Sequence, residues 1–452
     1  MTSLAVGRGG TRRHAAARSD AVRLLQVFAL TAMIFPSSYV IKAVGGQGYV
    51  AALVSYCLFL AWIVAMLFGQ HNPFDYHYPV RIALCGMWLV SLTSYVLIDR
   101  TVMTSTQLTG ANRWLLQLAG VSGVILVSAE CLRTEEDIRR VLRALTWGGA
   151  FCGIVAALQF WATLDITTYL LKVLPGFTIS SADAAYSAIG IRDGVHRVAG
   201  TAIDPIELGV VAGMLLPLAV YLALHDLERS ALRRWVPVVC IALAVPVSVS
   251  RSAILAVGLS LGVMIVMMPA ARRVTGIAAM LLAIVAVFMT AHGLIGTLKT
   301  YFLAGTADNS IAHRVSEYPY VEKLVREAPW FGQGGGTYIV QEIHILDNEY
   351  LTTTIQLGLL GLAALIFYLL WPALAAMVAR GRTTDPALRD LCVALGGAEL
   401  AAVVCSGTFD SLSFPMFVSV QALVAGLIGA VWLLVNRSPS AGPAYAEPAG
   451  GN

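Results

Sequence analysis

The sequence predicts an all-α integral membrane protein of about twelve transmembrane helices, and three observations carry that prediction. Only 12% of its 452 residues are charged while 58% are hydrophobic, against roughly 25% charged in an average soluble domain. Runs of about 17 to 25 mostly apolar residues recur along almost the whole chain, each long enough to cross a hydrocarbon core of roughly 30 Å as a helix. Arginines gather in every second connection, the asymmetry that keeps short loops in the cytoplasm. No soluble domain of useful size remains.

Taken in order, the chain opens with Arg8, Arg12, Arg13, Arg18 and Arg23 and lacks the cleavable pattern of a secretory signal. Residues 1–23 are therefore read as a basic cytoplasmic tail, and 24–435 as the polytopic domain. Apolar runs follow near 24–41, 48–69 and 82–98, with Arg81 between the second and third. The runs 114–130 and 144–163 flank Arg133, Arg139, Arg140 and Arg143. Segment 164–202 is too long for a simple turn. Run 203–224 opens with Asp204-Pro205-Ile206-Glu207, which has the spacing of an N-cap, a first-turn proline and a capping-box acid. Arg229, Arg233 and Arg234 precede run 235–249; the turn Ser248-Val249-Ser250-Arg251-Ser252 leads into 253–270; Arg272 and Arg273 precede 274–296.

A long extracytoplasmic loop, 297–349, then separates spans nine and ten. Val321, Leu324 and Val325 recur at helical spacing within it, predicting a short helix lying on the membrane surface. Gly332, Gly334, Gly335 and Gly336 have no following GK[ST], so they read as a tight turn and not a nucleotide loop. Runs 350–372, 391–408 and 412–435 complete the twelve, with Arg380, Arg382 and Arg389 in the connection after the tenth and Arg437 after the last. Residues 436–452, small, Pro-rich and Gly-rich, are read as a disordered cytoplasmic tail. The expected setting is a bacterial cytoplasmic (inner) membrane with both termini inside, and long segments are where function is sought.

Polar residues that the outer side would carry form three groups. Arg192 to Thr201 is a Gly-containing turn that sets His196 and Arg197 just before the helix start at Asp204. Arg197 is either an interfacial arginine snorkelling to headgroups or part of an anion site at that helix N-terminus. Arg251 falls in the first helical turn after Ser250, where the macrodipole disfavours a cation unless an anion compensates; a phosphate or a carboxylate such as Asp410 would do so. Asp204 and Glu207 are helix caps or substrate contacts, and Asp347 is an N-cap or an acid-base group. Seven cysteines contain no CxxC pair, and no His/Cys cluster has ligand spacing, so no metal or cofactor is expected. No nucleic-acid partner is implied.

The order HRVAGT, DPIELG, SVSRSA, HRVSEYPYVEKL…PWFGQGGG and DNEYLTTTIQLGLLGL, over residues 190–365, resembles the O-antigen ligase and O-antigen polymerase superfamily of bacterial envelope glycosyltransferases. The resemblance implies transfer of a glycan from a polyprenyl diphosphate to a glycan or lipid acceptor on the outer side of the membrane. It would make Arg197, Arg251 and Arg314, with Arg192, the diphosphate-binding residues, and Asp347 with His344 the acid-base pair; Asp204, Glu207, Asn348 and Tyr350 would support the acceptor. One departure stands out. Ligases of the family usually place a His directly before the Asn that opens this helix, where Asp347 stands here, so ligase and polymerase remain equally open.

Glycosyl transfer loads negative charge on the leaving diphosphate, so positioned arginines lower its barrier without a metal. Direct attack inverts the anomeric centre; double displacement would need a nucleophilic carboxylate, for which Asp204 and Glu207 stay open. Two other classes compete. A twelve-span transporter or flippase of envelope precursors would need paired broken helices in corresponding halves, and no similarity between halves is evident. A scaffold subunit of an envelope complex would need none of the arginines.

Overall fold

The computed structural model describes residues 5–99, 101–180, 189–192, 195–270, 273–278, 309–339 and 346–436. Thirteen helices of a turn or more can be numbered in order. They are α1 (Ala5–Ile34), α2 (Val50–Leu67), α3 (Pro79–Val96), α4 (Ser105–Cys131), α5 (Glu135–Trp161), α6 (Ile166–Val173), α7 (Pro205–His225), α8 (Ala231–Val247), α9 (Arg251–Met267), α10 (Asn309–Glu327), α11 (Glu349–Arg382), α12 (Pro386–Cys405) and α13 (Pro415–Asn436). Two antiparallel strand pairs accompany them, the long-range pair β1 (Tyr39–Ile41) with β2 (Phe177–Ile179) and the local pair β3 (Ile189–Arg192) with β4 (Val195–Val198).

Seven described helices, α2, α3, α4, α5, α7, α11 and α13, are long and apolar enough to cross a membrane. The expected twelve is therefore not the number among the described residues. Helices α8 and α9 have only 17 residues each, α12 carries Arg389, Asp390 and Glu399, and most of the predicted run 274–296 lies outside the described residues. The basic stretch expected as a tail is instead helical from Ala5 onward, as the first turns of α1.

Polar caps start these helices. Thr104 and Gln107 form a capping box on α4, Thr134 and Asp137 another on α5, and Asp385 accepts from Ala387 N at the start of α12. Such side chains satisfy the first N–H groups that no helical carbonyl reaches.

Helix α7 is the axis of the bundle: 89% of its apolar window is buried, against α5, α8, α9 and α12. Close approach explains how. A Cβ on Gly213 would stand 2.5 Å from Ala256 Cβ of α9, so only glycine permits this spacing, the usual way in which helices gain dispersion contact where lipid supplies no hydrophobic drive. Ser260 of α9 donates to the Gly213 carbonyl at 2.7 Å. A second tie is polar: Tyr368 of α11 donates to Gln421 of α13 at 2.7 Å, and Gln421 donates to Glu399 of α12 at 2.7 Å. All three are buried. The sequence reading, which confined polar residues to one membrane face, missed this cluster because an isolated Glu or Gln within an apolar run leaves no spacing signal.

Candidate functional site

Antiparallel neighbours bring one set of helix ends together: the starts of α7, α9, α11 and α13 and the ends of α8 and α12. At the start of α7, Asp204 is the N-cap and accepts from Ile206 N at 2.6 Å. Glu207 is fully buried and accepts from Ile203 N at 2.9 Å, Met416 N at 2.8 Å and Phe417 N at 3.0 Å. Its carboxylate thus closes the turn before α7 and caps the first turn of α13. All of its visible bonding is structural, the cap alternative of the sequence reading, though its reach to α13 was not foreseeable from local spacing.

Arg197 lies on β4, in the hairpin that pairs Arg192 with Val195 and Gly190 with Arg197. Its Nε donates to the Ser248 carbonyl at 3.2 Å, and its Nη2 stands 3.7 Å from Asp204 Oδ1. Burial pushes the Asp204 carboxyl up from its ordinary value, while the Arg197 guanidinium and the Ile206 N–H pull it back down. Arg197 therefore bridges the start of α7 to the turn that holds Arg251.

That turn is strained. Val249, buried and β-branched, has φ 47°, a left-handed conformation that costs such a residue about 1–3 kcal/mol. Ser250 occupies the N-cap of α9, a position its hydroxyl suits, yet makes no side-chain capping bond. The consequence is chemical: the first N–H groups of α9 lack a hydroxyl acceptor, directly beside Arg251, and a helix start of this kind favours an anion.

At the start of α11 it is Asn348, not Asp347, that caps, accepting from Tyr350 N at 3.0 Å. Asp347 is thereby spared from capping. It lies within electrostatic reach of both Asp204 and Asp410, raising the pKa of each. Glu349 is buried and accepts from Thr353 Oγ1 at 2.8 Å and Leu412 N at 2.8 Å. Asp410 lies within electrostatic reach of it. Burial pushes the Asp410 carboxyl up, and the hydrogen bond from Ser413 Oγ acts in the opposite sense. Sequence spacing gives no sign that these two acids meet, since Glu349 and Asp410 are far apart in the chain. Tyr350 donates to the Val403 carbonyl at 2.5 Å and so ties α11 to α12.

Helix α11 is broken at Gly358, with φ 71° and ψ −169°, a region open essentially only to glycine. The break frees backbone groups that the Pro329–Gly336 loop satisfies. Gln333 N donates to Ile355 O at 3.0 Å and Gly334 N to Gln356 O at 2.8 Å; Leu359 N donates to Pro329 O at 2.8 Å and Leu360 N to Trp330 O at 3.2 Å. The glycines thus form a docking strip for a discontinuous helix, a larger role than the tight turn expected. Val321 of α10 packs with Tyr338, Leu346 and Ile355, with Leu324 and Val325 alongside, so the apolar set read from its spacing packs on protein.

The structure thus brings Arg197, Asp204, the turn of Arg251, Asp347, Asn348, Glu207 and Tyr350 to one end of the bundle. Arg192 sits on β3 and Arg314 on α10, while His344 lies outside the described residues. Among the described residues no group of His, Cys, Asp and Glu has the arrangement to hold a metal ion.

Comparison with curated proteins finds none that matches. One family model does match: residues 236–366 fit Wzy_C, described as O-antigen ligase. That stretch runs from α8 through the break in α11, and holds Arg251, Arg314 and Asp347; Arg197 and Asp204 are brought to it from outside. Residues 236–366, the stretch that carries the arginine turn and the start of α11, thus match the O-antigen ligase family model, which supports an O-antigen ligase and polymerase superfamily assignment for this multi-pass membrane protein.

Proposed function

We propose that the protein is a membrane glycosyltransferase that moves a glycan from a polyprenyl diphosphate to an acceptor hydroxyl on the outer face of the cytoplasmic membrane. One observation carries the reading: Arg197 and Arg251 converge on the uncapped start of α9, while the capping by Asn348 leaves Asp347 free nearby. The arginines and N–H groups suit a diphosphate, because a planar guanidinium grips phosphate oxygens in pairs and stays charged. Asp347 suits the acceptor. It takes the hydroxyl proton as the acceptor oxygen bonds to the anomeric carbon, the bond from that carbon to the diphosphate oxygen breaks, and the polyprenyl diphosphate departs with the electron pair. Inversion at the anomeric carbon follows from a single displacement.

The positive-inside pattern supports placing this end of the bundle outside and both termini in the cytoplasm. The arginines supply the cationic charge, so no metal is needed. The test is purified protein with a prenyl-diphosphate-linked glycan and a hydroxyl acceptor, with and without EDTA. Wild-type protein is expected to transfer in both conditions, whereas Arg251→Ala and Asp347→Asn should each lose about tenfold or more, the scale of one charge-assisted contact. Full transfer by both variants would remove the proposed site. Solute movement in liposomes without diphosphate cleavage would instead favour the transporter reading.

A further inference from the structure

We infer that the opposite end of the bundle holds a binding site for the phosphodiester of an anionic phospholipid. Helix α7 spans 21 residues, about 31 Å at 1.5 Å per residue, so this end lies a membrane thickness from the arginine turn.

There, the end of α7, the Arg143–Trp147 stretch of α5 and the start of α8 line a shallow cleft open to solvent. Four arginines line it, Arg143, Arg229, Arg233 and Arg234, against one lining carboxylate, Asp226, and Glu136 beside it, which accepts from Arg143 Nη1 at 2.9 Å. Asp226 is already committed. It is buried and accepts from Arg143 Nε at 2.8 Å and Nη2 at 2.9 Å, with Arg229 Nε at 3.5 Å. Arg233 and Arg234 have no ion pair among the described residues. Arg234 donates from Nη1 to Ala223 O at 2.7 Å, while its Nε is buried without a hydrogen-bond partner. Beside them Ser230, the N-cap of α8, makes no side-chain capping bond, so the first N–H groups of a 17-residue helix face the same place. Excess cationic charge, an orphaned guanidinium N–H and an uncapped helix start all call for one anion.

Its other half is apolar. Trp147, Phe151 and Ile154 form an exposed ridge down α5, and Trp235 and Val239 continue it on α8, which packs against α5. Tryptophans at headgroup depth over an aliphatic strip suit an acyl-chain ligand, whereas free phosphate would use the arginines alone.

The test uses the purified full chain in detergent, offered phosphatidylglycerol or phosphatidylcholine of identical acyl chains, or inorganic phosphate in excess, with bound lipid counted by native mass spectrometry. Wild-type protein should keep phosphatidylglycerol at least about tenfold better than phosphatidylcholine, close to 1.4 kcal/mol. Inorganic phosphate should not displace it. Arg233→Gln with Arg234→Gln should abolish the preference, and the double lysine variant should retain much of it. Equal retention of both lipids, unchanged retention in the glutamine variant, or displacement by phosphate would each overturn the site. Should the glutamine variant fail to fold, wild-type protein decides alone: phosphatidylglycerol must raise its unfolding temperature and phosphatidylcholine must not, and equal shifts would refute the proposal.

Discussion

Arg197 has two possible occupations, and a double substitution separates them. Its guanidinium stands 3.7 Å from Asp204, with the two side chains 17% and 20% exposed. At an effective dielectric of about 20 the gross attraction at that distance is roughly 4 kcal/mol, most of it offset by desolvation of both groups. Arg197→Ala removes that attraction and the 3.2 Å bond to Ser248, leaving a carboxylate that burial already disfavours. A stability loss of about 1–3 kcal/mol is expected. Transfer should fall about tenfold to 150-fold if a diphosphate contact worth about 1.5–3 kcal/mol goes with it. Asp204→Asn in the Arg197→Ala background then removes the orphaned charge while keeping a good N-cap for α7. Unfolding temperature in detergent and transfer rate are measured on wild type, Arg197→Ala, Asp204→Asn and the double variant. Stability should recover in the double variant and transfer should not. If transfer recovers in step with stability, Arg197 serves only to neutralise Asp204 and its assignment to the diphosphate is wrong.

Three other outcomes follow from the geometry. Gly358→Ala would force a side chain into a φ of 71° and set its Cβ 2.3 Å from the Trp330 carbonyl carbon; stability should drop by about 3 kcal/mol or more as the Pro329–Gly336 strip unseats, seen as new proteolysis in that loop. Glu207→Gln would turn an N–H donor toward backbone N–H groups, lowering the unfolding temperature by the equivalent of about 1–3 kcal/mol while the folded fraction keeps its transfer rate; a rate loss in fully folded protein would instead make Glu207 a substrate contact. Asp410→Asn tests the raised carboxyl. Because burial raises its folded value, its favourable contribution is present in acid and is lost as pH rises through that value, so the variant should match wild type near pH 4 and unfold at higher temperature near pH 8. A constant difference across that range would refute the shift.

What the sequence exposed and what it hid divide along physical lines. Apolar length is a local property, so the spanning character of α2, α4, α7 and α13 could be read directly. The number of spans could not, because α8 and α9 are 17 residues each and are sustained by packing on α7. Capping is nearly local: Asp204 caps α7 as its spacing foretold, but Ser250 makes no capping bond and Asp347 takes only the second of its two open roles, since whether a side chain turns back on its own helix depends on what the next element offers. Val249 in a left-handed conformation aims the Ser250 turn elsewhere, and Asn348, one residue closer to α11, takes the capping role.

The same contrast explains the acids at this end. Glu207, Glu349 and Asp410 show nothing in sequence of their long-range neighbours, yet in the fold each sits where helix starts from separate parts of the chain meet. Glu207 is answered by N–H groups from two helix starts, and Glu349 by a hydroxyl and an N–H. Of the carboxylates gathered there, Asp347 is the one whose own helix start does not use it, and it raises the pKa of two others from a distance. A base that must accept a proton from an incoming hydroxyl has to keep its lone pairs free for it. Asp204, Glu207 and Glu349, already committed to N–H groups, leave that role to Asp347, which is why its position, and not its residue type alone, makes it the candidate.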